Sequence, residues 1–123
     1  VNEGLIFYYR FKPTAIKKFI KKVLRRYPDL DGLSVFNDYV AYHAIEALQA
    51  HGKKVPDDVS VFGFSDDPIA SYIRPRLSSV EQLAPKIGKI AAEKMIAILK
   101  SNAPMINEQI VIGPELILRE STR

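Results

Sequence analysis

Two polar turns hold the side chains best placed to do chemistry. Asn37-Asp38 follows the apolar run GLSVF (residues 32–36), and Ser65-Asp66-Asp67 follows VSVFGF (59–64). Neighbouring carboxylates in a turn can act as an acid–base pair or hold a hard cation. They can equally bond the nearby backbone amides and shape the turn. The two histidines, His43 and His51, have no third ligand at metal spacing and read as helix-surface side chains. The chain has 0 cysteines, which removes disulfides and thiolate metal sites and fits a reducing compartment. Neither a Gly-rich phosphate loop nor a G-x-S-x-G elbow is present, and Gly88 reads as a close-packing position on a helix. No catalytic constellation can be assembled, so the expectation is a non-enzyme with no cofactor and no metal.

Position adds what residue type leaves open. Residues 32–36 and 59–64 read as short buried strands, and each is followed by a helix or a polar turn. Alternation of strand and helix with short loops predicts a partial parallel sheet with flanking helices, an α/β fold. Ligands of open α/β sheets bind outside the carboxyl ends of the strands, where Asn37-Asp38 and Ser65-Asp66 fall. Short polar side chains there suit the hydroxyls of a small polar ligand.

The other elements follow from periodicity and punctuation. Residues 5–9 (LIFYY) are β-prone and predict a strand. Pro13 can open a helix that ends at Tyr27-Pro28, and Asn37 or Asp38 can cap a second that ends at His51-Gly52. Residues 69–76 read as irregular because of Pro75, and 77–81 (LSSVE) as extended. Pro85 opens a long helix with Ile87, Ile90, Ala91, Met95 and Ile98 as its apolar stripe. Residues 108–112 and 115–119 alternate as two strands broken by Gly113-Pro114.

At 123 residues the chain has room for one modest core, and 47% hydrophobic with 26% charged residues is the balance of a folded soluble protein. No apolar run approaches the roughly 18 residues that span a bilayer, so no membrane partner is expected. The chain begins Val1-Asn2-Glu3, with neither an initiator Met nor a signal sequence, and so reads as a piece of a longer polypeptide. Its net charge is +4, and the excess is concentrated in Lys17, Lys18, Lys21, Lys22, Arg25 and Arg26. Ile16, Phe19, Ile20, Val23, Leu24 and Tyr27 lie between these at helical spacing, giving one apolar stripe and one basic face. That face is either solvated or a binding surface for phosphates.

The motifs taken together resemble the C-terminal part of the LacI/GalR family of transcription regulators. Residues 31–48 look like that family's strand–Asn-Asp–helix unit, and 52–75 like its G-x-x-VP-x-DVSV-x-GF strand and following loop. LSSVEQ (77–82) resembles its L-T-T-V-x-Q crossover with Ser for both Thr, residues 87–99 its G-x-x-A-A helix, and ELILREST (115–122) its terminal motif.

The resemblance implies a fragment of a periplasmic-binding-protein-like (type I) two-lobed domain. Residues 1–82 would belong to the C-terminal effector-binding lobe, 83–112 to the N-terminal lobe, and 113–123 to a strand returning to the C-terminal lobe. It implies a cytoplasmic regulator that binds a sugar-like effector and touches DNA only through an N-terminal helix-turn-helix domain outside this chain. Effector positions carry over to Asn37, Ser65 and Gln82. Ser65 stands where the family usually has Asp, and Asp66 either substitutes for that carboxylate or stabilises the turn. Asp38 is expected to cap its helix. Subunit pairing, as a homodimer or higher homo-oligomer, carries over to Tyr42, Ile45, Ile69, Tyr72 and Ile73. A periplasmic solute-binding protein of the same fold is the alternative, followed by a small basic nucleic-acid-binding domain and an enzyme.

Overall fold

The structure is a computed structural model that describes residues 5–8, 12–101 and 107–123. Helix α1 (Pro13–Arg26) begins with a proline, whose missing N–H costs nothing in the first turn of a helix. Its stripe of Ile16, Ile20 and Val23 is 1–3% exposed. The helix ends at Tyr27, ahead of Pro28, with the Tyr27 N–H bonded to Val23 O at 2.8 Å. Helix α2 (Asp38–Ala50) is capped by Asn37, whose Oδ1 accepts the Val40 N–H at 3.0 Å. Past its C-terminus Gly52 adopts φ +77°, the left-handed conformation that glycine takes without Cβ strain.

Strands β1 (Gly32–Ser34) and β2 (Ser60–Phe62) pair in parallel with Leu33 opposite Val61, and α2 supplies the crossover between them. After β2 comes a single-turn helix α3 (Ile69–Tyr72), then β3 (Ser79–Glu81). Parallel bridges Phe62–Ser78 and Ser65–Glu81 tie β2 to β3, and β4 (Glu115–Ile117) pairs antiparallel with β3. The spatial order is therefore β1-β2-β3-β4. Ile16 and Ile20 of α1, Val40, Ala44, Ile45 and Leu48 of α2, Val61 of β2 and the flanking Val59, Ile73 and Leu77 make one core. Helix α4 (Ala84–Lys100) contributes no buried residue. Its Ile87, Met95, Ile96, Ile98 and Leu99 are 38–77% exposed.

Four expectations need correction. Residues 5–8 form no strand, and Tyr9 lies outside the described residues. Phe7 instead packs edge-on against Phe19 and Tyr27, with ring centroids 5.4 and 5.9 Å away. Residues 69–76 are not wholly irregular, because α3 forms before the Arg74-Pro75 bond. Residues 108–112 form no strand: backbone groups need a neighbour to make a ladder, and no described residue pairs with them. The last strand stops at Ile117, and the Arg119 N–H turns to bond the Ser78 hydroxyl at 2.7 Å.

Glu46 links α2 to α1. It accepts from His43 Nδ1 at 3.1 Å and from the Tyr42 hydroxyl at 2.9 Å, and it pairs with Lys17 of α1 at 3.4 Å. These contacts, the His43 bond first, hold its carboxyl below the ordinary value of 4.5, while the same carboxylate raises the Tyr42 phenol.

Two outcomes follow for stability. Ile20→Ala opens a cavity between α1 and α2 and should cost about 2–5 kcal/mol by urea denaturation. Because the folded Glu46 pKa is depressed, its contribution is fully present above pH 4.5 and is lost as pH falls through the lower folded value. The stability gap between wild type and Glu46→Gln should therefore narrow as denaturation is repeated below pH 4.5. A gap independent of pH would show that Glu46 is not held this way.

Candidate functional site

The carboxyl ends of β1 and β2 are drawn together by one buried side chain. Asp38, at the first position of α2, is 0% exposed. Its Oδ1 accepts the Ser79 hydroxyl at 2.6 Å, and its Oδ2 accepts the Asp67 N–H at 2.7 Å. Ser79 in turn accepts the Asp66 N–H at 3.2 Å. A Cβ on Gly63 would collide with Asp38 Oδ1 and lie 2.9 Å from Leu77 Cδ2, so the β2 end must carry glycine for the carboxylate to sit there.

Beyond Gly63 the backbone takes an uncommon path. Ser65 has φ +113° and Asp66 φ +51°, values that side-chain-bearing residues rarely adopt and that neighbours must enforce. Here the Ser65 N–H bonds Val80 O at 2.9 Å and Ser79 holds the next amide. This turn directs Ser65 toward Gln82, whose Nε2 donates to Ser65 Oγ at 3.4 Å, a long contact on an exposed rim. Asn37 is half-buried at the adjoining strand end. Its Oδ1 is used by the helix cap, which leaves the amide N–H groups for another acceptor.

The Asp66 carboxylate is engaged within the chain. Both of its oxygens are held by Arg119, at 2.5 Å from Nη1 and 3.1 Å from Nη2, with each side chain less than a fifth exposed. The Asp66 bond holds the Arg119 guanidinium still more firmly protonated. Arg119 Nη1 also donates to Leu77 O at 2.8 Å. Among the groups the strand ends present to solvent are the amide of Asn37, the hydroxyl of Ser65 and the amide of Gln82, beside the exposed Phe36, Phe64 and Asp67. The two amides and the hydroxyl are neutral hydrogen-bonding groups of the kind that match sugar hydroxyls.

Several residues have roles that residue type concealed. Asp38 does not cap its helix; Asn37 does, and Asp38 is the hub beneath the site. Arg119 was part of a recognisable terminal motif, yet its partner lies 53 positions away and spacing could not reveal it. Among the expected pairing residues, Ile45 and Ile73 are 2% and 9% exposed in the chain's own core and offer no surface to a partner. Tyr72 is 80% exposed, while Ile69 and Tyr42 are half-buried. Both histidines are engaged locally, His43 with Glu46 and His51 with Ala47 O.

Residues 8–122 match the family model described as periplasmic binding protein-like domain. The chain belongs to that family. The HTH-type transcriptional regulator DegA of Bacillus subtilis is 35% identical over 124 residues, which covers 99% of this chain and 36% of that protein. A LacI family transcriptional regulator from Arthrobacter sp. FB24, solved in complex with lactose, superposes with a TM-score of 0.83 at 29% identity, over 93% of this chain and 43% of the other. The transcriptional regulator CelR in its cellobiose complex gives 0.80 at 28% identity, over 98% and 37%. The chain spans about a third of the length of the curated relatives it matches. The partial parallel sheet with flanking helices is thus a portion of a periplasmic-binding-protein-like domain, of the kind carried by LacI-type regulators.

The Arg119–Asp66 pair can be tested within this family fold. Arg119→Met should cost about 3 kcal/mol in denaturation, because it leaves a mostly buried carboxylate unpaired. Adding Asp66→Asn should restore part of that loss. Equal losses in the single and double variants would show that the pair does not hold the turn.

Proposed function

We propose that this chain is the effector-sensing and subunit-pairing part of a LacI/GalR-type transcription regulator, and that Asn37, Ser65 and Gln82 bind a neutral carbohydrate. The observation that carries the reading is the convergence of Ser65 and Gln82 at the carboxyl ends of the strands, beside Asn37. Support comes from the likeness to regulators solved with lactose and with cellobiose. Asp66 acts by holding the turn through Arg119 and not as a sugar acceptor.

The regulator is a cytoplasmic non-enzyme, and its sequence-specific DNA contacts are made by a helix-turn-helix domain, as the names of the relatives suggest. Residues 83–112 belong to the N-terminal lobe, a division supported by the unburied apolar side chains of α4. Residues 1–82 and 113–123 form the C-terminal lobe. Homodimer pairing uses the exposed Tyr72 with Ile69 and Tyr42.

Calorimetric titration of the intact regulator with lactose and with cellobiose tests the site. Ser65→Ala and Gln82→Ala should each weaken binding by about 1–3 kcal/mol if a buried hydrogen bond is lost. Asn37→Ser, which keeps a capping hydroxyl while removing the amide, should do the same. Unchanged affinity in all three variants would place the effector elsewhere.

A further inference from the structure

The exposed side of α1 is cationic without interruption. Lys18, Lys21, Lys22, Arg25 and Arg26 line a shallow groove of about 490 Å³, and the helix contains no acidic residue. None of the five has a carboxylate within ion-pair distance among the described residues. Positions three and four apart on a helix are neighbours, so these like charges repel one another. The other long exposed helix of the chain relieves such repulsion, as Lys89 with Glu93 does on α4. Among the described residues, only Lys17 of α1, which faces α2, has a carboxylate partner, while Arg26 lies over the Tyr27 ring at 5.6 Å from its centroid.

We infer that this face binds the phosphate backbone of duplex nucleic acid, independently of base sequence. The apolar stripe of α1 is buried against α2, so the helix cannot insert into a lipid surface as an amphipathic anchor would. A protein partner would call for an apolar centre with few lysines, and here the centre is lysine. A basic stripe along one helix, in a chain of pI about 9.3, is the footprint of phosphate recognition. From Lys18 to Arg26 the helix rises about 12 Å. That matches about three phosphates along one strand at roughly 3.4 Å each. The inference does not depend on the effector reading, since no residue of the sugar site takes part.

Fluorescence anisotropy of the 123-residue chain with a labelled duplex of scrambled sequence provides the test. Affinity should fall roughly 40-fold between about 50 and 200 mM salt, a log–log slope of about −2.7 for three neutralised phosphates. Lys21→Gln should reduce the slope by about 0.9, and Lys18→Gln/Lys21→Gln/Lys22→Gln, which leaves Arg25 and Arg26, should leave it no steeper than about −1.8. Glutamine at exposed helical positions keeps the propensity, which circular dichroism would verify. Lys86→Gln/Lys89→Gln/Lys100→Gln removes the same charge from α4 and should leave the slope unchanged. Equal effects of the two triple variants, or no binding by wild type at low salt, would overturn the proposal. So would tighter binding to poly-glutamate or to phosphatidylserine vesicles than to the duplex at equal charge.

Discussion

A single buried carboxylate sets the geometry of the strand ends. Taking Asp38 out of water is unfavourable unless its oxygens are bonded, and among the described residues the Ser79 hydroxyl and the Asp67 amide meet that need. Those two donors belong to β3 and to the loop after β2, so α2, the loop and β3 can satisfy the carboxylate only in one mutual arrangement. Its place at the first position of α2 is also electrostatically favourable, where helix amides point toward negative charge. Gly63 is the counterpart of this constraint, since any Cβ would occupy the space of the carboxylate. Ser79, which donates to Asp38, also holds the Asp66 amide in the positive-φ turn, which ties the exposed site to the buried one.

The end of the chain completes that arrangement from the other side. Ser121 takes both backbone groups of Val61: its carbonyl accepts the Val61 N–H at 2.8 Å and its hydroxyl donates to Val61 O at 2.6 Å. Its hydroxyl also accepts the Ser78 N–H at 2.8 Å, and the Ser78 hydroxyl meets Thr122 Oγ1 at 2.7 Å. β2 is therefore paired on both edges, by β1 on one and by the terminal segment and β3 on the other. Arg119 extends the closure to the site, since the guanidinium that holds Asp66 stands two residues before Ser121. The turn that presents Ser65 thus depends on residues more than fifty positions downstream.

What the sequence made legible was mostly local. The apolar stripe of α1, the proline at its start and the left-handed Gly52 all follow from side-chain spacing and backbone preference, and all are seen. The parallel pairing of β1 and β2 followed from alternation of element types. Strand propensity failed at residues 5–8 and 108–112 because a strand is a property of two segments, and propensity describes one. Ile45 and Ile73 were misplaced for a related reason: spacing shows that a helix position is apolar, but not whether its cover comes from the same chain. The role of Asp38 was hidden because a polar residue at a helix start has a simple local explanation, and Asn37 had already taken it.

Burial also separates two exposed features that hydropathy alone would treat alike. Helices α1 and α4 are both amphipathic, but α1 buries its apolar stripe whereas α4 leaves its own in solvent. On α1 the stripe of Ile16, Ile20 and Val23 is buried, so the side left to solvent is its lysines and arginines. On α4 no residue is buried, and Met95 and Leu99 are 57% and 77% exposed beside the ion-paired Lys89 and Glu93. Apolar surface in water is relieved by cover that excludes water, whereas crowded like charge is relieved by counter-charge while both partners stay hydrated. The two helices therefore ask for different neighbours: α4 for an apolar one that completes a core, α1 for an anionic one that leaves the fold unchanged.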